Sequence, residues 1–284
     1  MSTEAAKPPP QANVSIESVL GVQQHTLWQR IVAAQAFWVT IALLIISVVM
    51  SWLQPASFAT SENFYNITRN FSFIGIMALG MTAVIATGGI DLSVGSIMGL
   101  TAVASGLTLE AHYPAWAAIA VGLGAGALTG LINGLIIAYA GISPFVTTLG
   151  MLAIARSAAV VLSGNRMLYN FGPGGPAFKS LGGGALGLAA AFAAILSVGW
   201  EGSAINALGQ SYELLAISAA VIGGANLMGG EASACGAFIG AALIFVIRNS
   251  LLMAGVDSNW QGTFVGLFLI AAVYLGKVRG ARRE

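Results

Sequence analysis

The sequence predicts an all-α, polytopic membrane protein. Three observations predict this class: 57% of the 284 residues are hydrophobic, only 7% are charged, and the mean hydropathy is +0.86. Soluble domains carry about 25% charged residues, so this chain has too few charges to coat a water-facing surface. Its formal net charge of +1 indicates neither a nucleic acid nor an acidic protein as partner.

Nine apolar runs are candidates for membrane-spanning helices, because about 20 residues are needed to cross ~30 Å of hydrocarbon. Their approximate ranges are 33–53, 70–87, 93–109, 115–140, 144–163, 184–200, 213–228, 234–253 and 262–277. Helices are expected because lipid cannot satisfy an open sheet edge and the runs lack the alternation of a barrel. The longest connection, 164–183, contains Pro173, Pro176 and several glycines, so it is predicted to be a loop.

The chain divides into a membrane domain, 31–278, and two tails. Residues 1–30 contain no signal peptide and are predicted to be a disordered or amphipathic cytosolic tail. Residues 279–284 form a basic tail, which the positive-inside rule places in the cytosol. Two cytosolic ends require an even number of crossings, which nine runs do not give.

Enzymatic and metal chemistry are not expected of this chain. One cysteine and two histidines exclude an internal disulfide, a Cys-based metal site and a His-based triad. The apolar runs contain no Ser/His or paired-Asp constellation and the chain has no phosphate-binding loop, so no catalytic residue or bound cofactor is predicted.

The motif Gly-Gly-Ile-Asp-Leu-Ser-Val-Gly at 88–95 interrupts two apolar runs. Gly88 and Gly89 end one helix, and Asp91 and Ser93 are candidate caps for the next, which contains Gly95. An acidic residue near membrane depth usually faces a polar cavity or a partner. Two roles stay open for Asp91: a helix cap in a cytosolic turn, or a part of the transport pathway or its gate.

A second copy of this pattern follows 135 residues later, with Gly223, Gly224 and Asn226 in the positions of Gly88, Gly89 and Asp91. Paired interruptions at corresponding places of two halves are typical of transporters built from internal repeats. The alternative is chance recurrence in a glycine-rich chain.

Two polar residues inside apolar runs are further candidates for the pathway. Asn133 has an amide that can hydrogen-bond across helices. Arg156 needs a partner or a wet cavity, although a structural ion pair or a side chain reaching the interface would also satisfy it.

Residues 80–95, 141–150, 212–230 and 248–251 resemble the ribose, xylose and arabinose permeases of the branched-chain amino acid/simple sugar superfamily of ABC transporters. The resemblance implies a permease that receives a monosaccharide from a periplasmic binding protein. It also implies a homodimer or paired permease in lipid, cytosolic ATPase subunits that use ATP, and no nucleic-acid partner. The alternatives are an amino-acid or nucleoside permease of the same superfamily, and an uncoupled facilitator or degenerate subunit.

The chain departs from this family near 179–184. The family has ten spans, and its sixth span and cytosolic coupling loop have no counterpart here. Restoring one span would give an even number of crossings. If this segment is truly absent, residues 184–200 are expected not to cross, which leaves eight crossings and makes coupling to an ATPase doubtful.

Overall fold

The computed structural model describes residues 26–182 and 190–257, together with 260, 262–264, 266, 267 and 270. These residues form helices and no β-strand; their only extended pairing is an isolated bridge between Leu168 and Ala204. The helices are α1 (Leu27–Ala33), α2 (Gln35–Leu53), α3 (Ser61–Ala86), α4 (Val94–Glu110), α5 (Ala115–Ala140), α6 (Pro144–Ser163), α7 (Gly175–Gly182), α8 (Ala190–Glu201), α9 (Tyr212–Ile222) and α10 (Ala234–Met253). A 3-10 turn at Gly172–Gly174 precedes α7.

Five of the described helices, α2, α3, α5, α6 and α10, are long and apolar enough to cross a membrane. Helices α4, with 17 residues, and α9, with 11, are apolar but shorter. At about 1.5 Å per residue, α9 covers roughly half of a ~30 Å hydrocarbon core. The described residues therefore support a helical membrane protein, whereas nine crossings are not confirmed. Most of the run 262–277 lies outside the described residues.

Three predicted spans have the predicted bounds because strong local signals mark their ends. Helix α5 ends before Gly141, which adopts the left-handed conformation (φ 66°). Helix α6 starts with Pro144, whose missing N–H costs nothing in a first turn, and ends before the left-handed Gly164. In front of α10, the hydroxyl of Ser233 accepts the N–H of Gly236 at 3.1 Å.

Two predicted spans have the wrong bounds. Helix α3 starts at Ser61 instead of residue 70, because Thr60 caps it by accepting the N–H of Asn63 at 3.1 Å. Its first turns are polar, so an apolar run does not reveal them. Helix α9 stops at Ile222 instead of residue 228, since the second glycine pair ends it.

The prediction of a loop over 164–183 is also wrong in part. The segment contains the 3-10 turn and α7. Phe178 on α7 is fully buried and packs edge-to-face against Phe171, with ring centroids 6.4 Å apart. Burying this aromatic pair stabilises a short helix that the glycines and prolines alone disfavour.

The centre of the bundle is formed by α3, α4, α8, α9 and α10, which bury Ile74, Met98, Ile195 and Ile244 between them. The most apolar windows of α3 and α10 are 44% and 50% buried, against 11% and 17% for α2 and α5, so α2 and α5 lie at the periphery. The 12 residues of α8 are shorter than a span. The prediction that residues 184–200 do not cross stays a prediction, because residues 183–189 lie outside the described part.

Candidate functional site

The first break comprises residues 87–93 and ends α3 with a Schellman motif. The N–H of Gly88 donates to the carbonyl of Ile85 at 2.8 Å, and the N–H of Gly89 donates to that of Val84 at 3.1 Å. Gly88 adopts a left-handed φ of 79°, which this motif requires and glycine tolerates. The helix therefore terminates with its last carbonyl groups satisfied.

The second break comprises residues 223–233 and ends α9 with the same motif. The N–H of Gly224 donates to Val221 at 3.0 Å, and the N–H of Ala225 donates to Ala220 at 2.9 Å. Here the second glycine of the pair, Gly224, is left-handed, with φ 107°. The two copies thus share a cap, but the cap is shifted by one residue relative to the sequence repeat.

The acidic and amide residues of the two breaks form equivalent turns. Asp91 Oδ1 accepts the N–H of Ser93 at 2.8 Å, and Asn226 Oδ1 accepts the N–H of Met228 at 3.0 Å. Both are side-chain turns that span two residues. Asp91 also accepts the hydroxyl of Ser93 at 2.6 Å. Asn226 is exposed, whereas Asp91 is half-buried.

Ser93 lies at the start of α4 but makes no side-chain bond to the helix N–H groups, contrary to the predicted cap. Its hydroxyl instead accepts the amide of Asn133 on α5 at 3.0 Å while donating to Asp91. Ser93 and Asn133 are both buried. The Oδ1 atom of Asn133 has no hydrogen-bond partner among the described residues. Two consecutive hydrogen bonds therefore connect Asn133 on α5, through Ser93, to Asp91 in the first break.

Thr148 on α6 holds the same break from another side, and sequence reasoning did not single it out as a site residue. Its hydroxyl accepts the N–H of Leu92 at 3.1 Å and lies 3.3 Å from the carbonyl of Ile90, to which it donates. The available signal was a pair of threonines, Thr147 and Thr148, inside an apolar run; both are buried.

The two breaks contact each other directly. The N–H of Gly230 donates to the carbonyl of Ala86 at 3.1 Å. A Cβ atom on Gly229 would lie 3.0 Å from the backbone of Gly88, so this approach requires glycine. The structure thus brings together the interruptions that the sequence places 135 residues apart.

Arg156 lies elsewhere, about 12 Å along α6 from Thr148 at ~1.5 Å per residue. Its Nη1 donates to the carbonyl of Asn206 at 2.6 Å and lies 3.3 Å from that of Leu208, in the loop before α9. Arg156 interacts electrostatically with Glu213, whose Oε2 is buried without a hydrogen bond among the described residues.

Gly95 belongs to this second cluster and not to the breaks. A Cβ atom there would overlap the carboxylate of Glu213 and the carbonyl of Gly209. One turn later, a Cβ on Gly99 would lie 3.1 Å from the Nη1 atom of Arg156. The predicted site residues therefore separate into two groups: the breaks with Asn133, and Arg156 with Gly95, which lie beside Glu213, a residue that the sequence did not single out as a site residue.

Gln35, at the start of α2, is a second residue that the sequence did not single out. Its amide donates to the carbonyls of Val221 and Ile222 at 3.2 and 2.9 Å, which caps the end of α9. A lone amide in the first turn of an apolar span was the only signal available.

Hydrogen bonds and packing hold the first group, and the attraction between Arg156 and Glu213 adds to them in the second. Within the described residues no three His, Cys, Asp or Glu side chains lie close enough to hold a metal ion. Hydroxyl, amide and backbone groups dominate the contacts around the first break.

Residues 63–181 match the family described as the permease component of branched-chain amino acid transport systems. A probable ABC transporter permease, y4mJ of Sinorhizobium fredii, is 33% identical and aligns 86% of this chain with 89% of its own length. The autoinducer 2 import system permease LsrD of Klebsiella pneumoniae is 31% identical, over 76% of this chain and 83% of the relative. The ribose import permease RbsC of Escherichia coli is 31% identical, over 82% and 91%. No solved structure matches the chain significantly.

The relatives carry residues that this chain lacks. The alignment with the Sinorhizobium fredii protein runs over 299 positions, whereas 86% of 284 residues is about 244, so about 55 positions have no residue here. One span and one loop would account for a gap of this size. Its placement near 179–184 stays a prediction.

Proposed function

The chain belongs to the branched-chain amino acid/simple sugar superfamily of ABC transporter permeases, and on this premise we propose that it is the membrane-spanning subunit of a monosaccharide importer. Its relatives are transport permeases and not enzymes, which confirms the prediction of a transporter component without catalytic activity.

The observation that carries the proposal is the contact between the two breaks. Gly230 bonds to Ala86 where two capped helix ends meet, and Asn133 and Thr148 hold one of them from neighbouring helices. Paired broken helices are where transporters built from repeats place their solute pathway. In the proposed mechanism, solute passes beside these breaks while one half of the bundle shifts against the other.

The substrate proposed is a small hydroxylated solute. Relatives are named for import of ribose and of autoinducer 2. The polar groups beside the first break, Ser93, Asn133 and Thr148, are uncharged donors and acceptors that suit hydroxyl groups. An amino acid or a nucleoside is the alternative, since the matching family is described by branched-chain amino acid transport.

The proposed assembly follows from family membership. Two permease copies would sit in a bacterial inner membrane, with both termini cytosolic. Cytosolic ATPase subunits would bind and hydrolyse ATP, and a periplasmic binding protein would deliver the solute.

An uptake assay tests the proposal. The permease is expressed with an ABC ATPase and a periplasmic sugar-binding protein from the same genome, and labelled D-ribose, D-xylose, L-arabinose and L-leucine are supplied in turn. Uptake of one of the sugars that stops when the phosphate-loop lysine of the ATPase is replaced is the expected result. Uptake of leucine alone, or of none of the four, would contradict the proposal.

An uncoupled facilitator is a second candidate, favoured by the roughly 55 aligned positions that this chain lacks. If those residues include the surface that docks the ATPase, uptake would run only down a gradient. Equal uptake with and without the ATPase subunit would favour this candidate over the importer.

A further inference from the structure

A polar cleft opens between α3 and α10 at the end of the bundle opposite the breaks. It has a volume of about 150 Å³, and Asn66, Asn70, Phe245, Arg248 and Asn249 contribute to its lining. At ~30 Å³ per water molecule, this volume holds about five waters. It is smaller than the 300–1,000 Å³ of pockets that enclose a ligand, so only part of a small solute would fit inside it.

Amide side chains line the cleft along one face of α3. Asn63, below the cleft, is buried and exchanges two hydrogen bonds with Asn249, of 3.1 and 2.8 Å. Asn70 bonds through its Nδ2 to the carbonyl of Asn66 at 2.7 Å, which leaves its Oδ1 atom available. The side chain of Asn66 makes no hydrogen bond within the described part of the chain.

The other wall combines a cation with an aromatic ring. The guanidinium of Arg248 lies over the ring of Phe245, 5.6 Å from its centroid. A guanidinium presents several N–H donors in one plane, and the exposed part of an aromatic ring packs against C–H groups. Together with the amides, these groups match a molecule that carries hydroxyls on an apolar carbon ring.

The cleft lies a membrane thickness away from the breaks. Asn66 precedes the end of α3 by 20 residues, which is about 30 Å at ~1.5 Å per residue. Helix α10 starts after the second break and ends beside the cleft. If the basic C-terminal tail is cytosolic and one further span precedes it, the cleft opens on the opposite, extracytoplasmic side.

We propose that this cleft is an entry site for the solute and that the amides of Asn66 and Asn70 bind the hydroxyl groups of a monosaccharide weakly. The inference rests on the proposed function and adds a location to it. The amides of Asn66 and Asn70 face the cleft, where a solute that approaches this end of the bundle would meet them.

Protection of a cysteine reporter tests the site. In a Cys235→Ser background, which removes the only cysteine, Leu252→Cys places a thiol at the cleft without removing a polar group. The full-length chain in phosphatidylcholine vesicles is labelled with a membrane-impermeant maleimide, with and without D-ribose, D-xylose or L-arabinose. At least one sugar should slow labelling threefold or more, and Asn66→Leu with Asn70→Leu should abolish that protection.

The matched control reporter is Ala59→Cys, which lies exposed in the loop before α3 and outside the cleft. Its labelling should not respond to sugar. The proposal is overturned if no sugar protects Leu252→Cys, if L-leucine protects equally, or if protection survives the double substitution. Slower labelling caused by phosphatidylglycerol vesicles alone would also overturn it, in favour of a lipid headgroup. Because labelling needs neither ATPase nor uptake, its failure is distinguishable from a failure of the uptake assay.

Discussion

The backbone N–H of Gly230 donates a 3.1 Å hydrogen bond to the carbonyl of Ala86, and this bond joins the ends of two helices that are far apart in sequence. Ala86 is the last residue of α3, whose final carbonyls lack partners within the helix. The second break thus contributes to capping the helix that the first break ends. A substitution in either break is therefore expected to disturb the structure of both.

Asp91→Asn should preserve folding and most of the uptake. The amide Oδ1 can still accept from Ser93, as Asn226 does from Met228 in the second break. Asp91→Ala should reduce stability by about 1–3 kcal/mol, because the donors of Ser93 lose their acceptor. Thermal unfolding in detergent and uptake in cells measure the two effects. A folded Asp91→Asn variant without uptake would show instead that the negative charge itself is required.

Asn133→Leu should lower stability by about 1 kcal/mol, since interhelical bonds in membranes contribute about 0.6 to 2 kcal/mol each. The loss comes from the 3.0 Å bond to the buried hydroxyl of Ser93. Thr129→Val is the control: Thr129 is buried one turn earlier, and among the described residues its hydroxyl bonds to the Ala125 carbonyl of its own helix. An equal shift in melting temperature for both variants would rule out a specific role of the Asn133 bond.

Gly223→Ala should prevent correct assembly of α9 against α10, because the new methyl group would overlap the backbone of Gly236 and Ala237. Overpacking costs about 1–3 kcal/mol where neighbours can shift, and backbone shifts least readily. Gly150→Ala, in α6 with open space around it, should be neutral or stabilising by up to ~1 kcal/mol. The two variants are compared by the fraction of protein that stays monodisperse after heating. An equal fraction for both would contradict the close packing of α9 against α10.

Arg156→Leu should destabilise the loop before α9 by about 1–3 kcal/mol, because the carbonyls of Asn206 and Leu208 lose their donor. It also leaves the carboxylate of Glu213 without its opposite charge. Adding Glu213→Gln should recover part of the loss, and a double-mutant cycle on melting temperature measures this coupling. Strictly additive effects would show that the two charges do not interact.

The sequence was most informative where a helix end carries its own local signal. Gly141, Pro144 and Gly164 act through their backbone conformation, so the bounds of α5 and α6 could be predicted. The N-terminal start of α3 was missed because its first turns are polar and only Thr60 marks it. Hydropathy reports the solvent that a segment prefers, and not the length of its helix.

The contacts of the candidate site could be predicted only in part, for a related reason. The glycine pairs and Asp91 are visible as a repeated pattern, whereas Thr148 and Gln35 act through partners 56 to 187 residues away. Nothing in their local sequence identifies those partners. Either glycine of a pair can adopt a positive φ, so the glycine pairs alone do not predict the one-residue shift between the two caps.

The close approach of α9 and α10 has a mechanical consequence. Gly223 and Gly236 meet backbone to backbone, and Gly240 faces the carbonyl of Ala219 one turn further. Sliding one helix along the other would bring side chains into main-chain atoms, so we expect α9 and α10 to move together as one rigid body. A rearrangement during a transport cycle would then change the backbone conformation at the two ends of this helix pair. These ends are the ten-residue stretch that leads into α9 and the contact between Gly229 and Gly88.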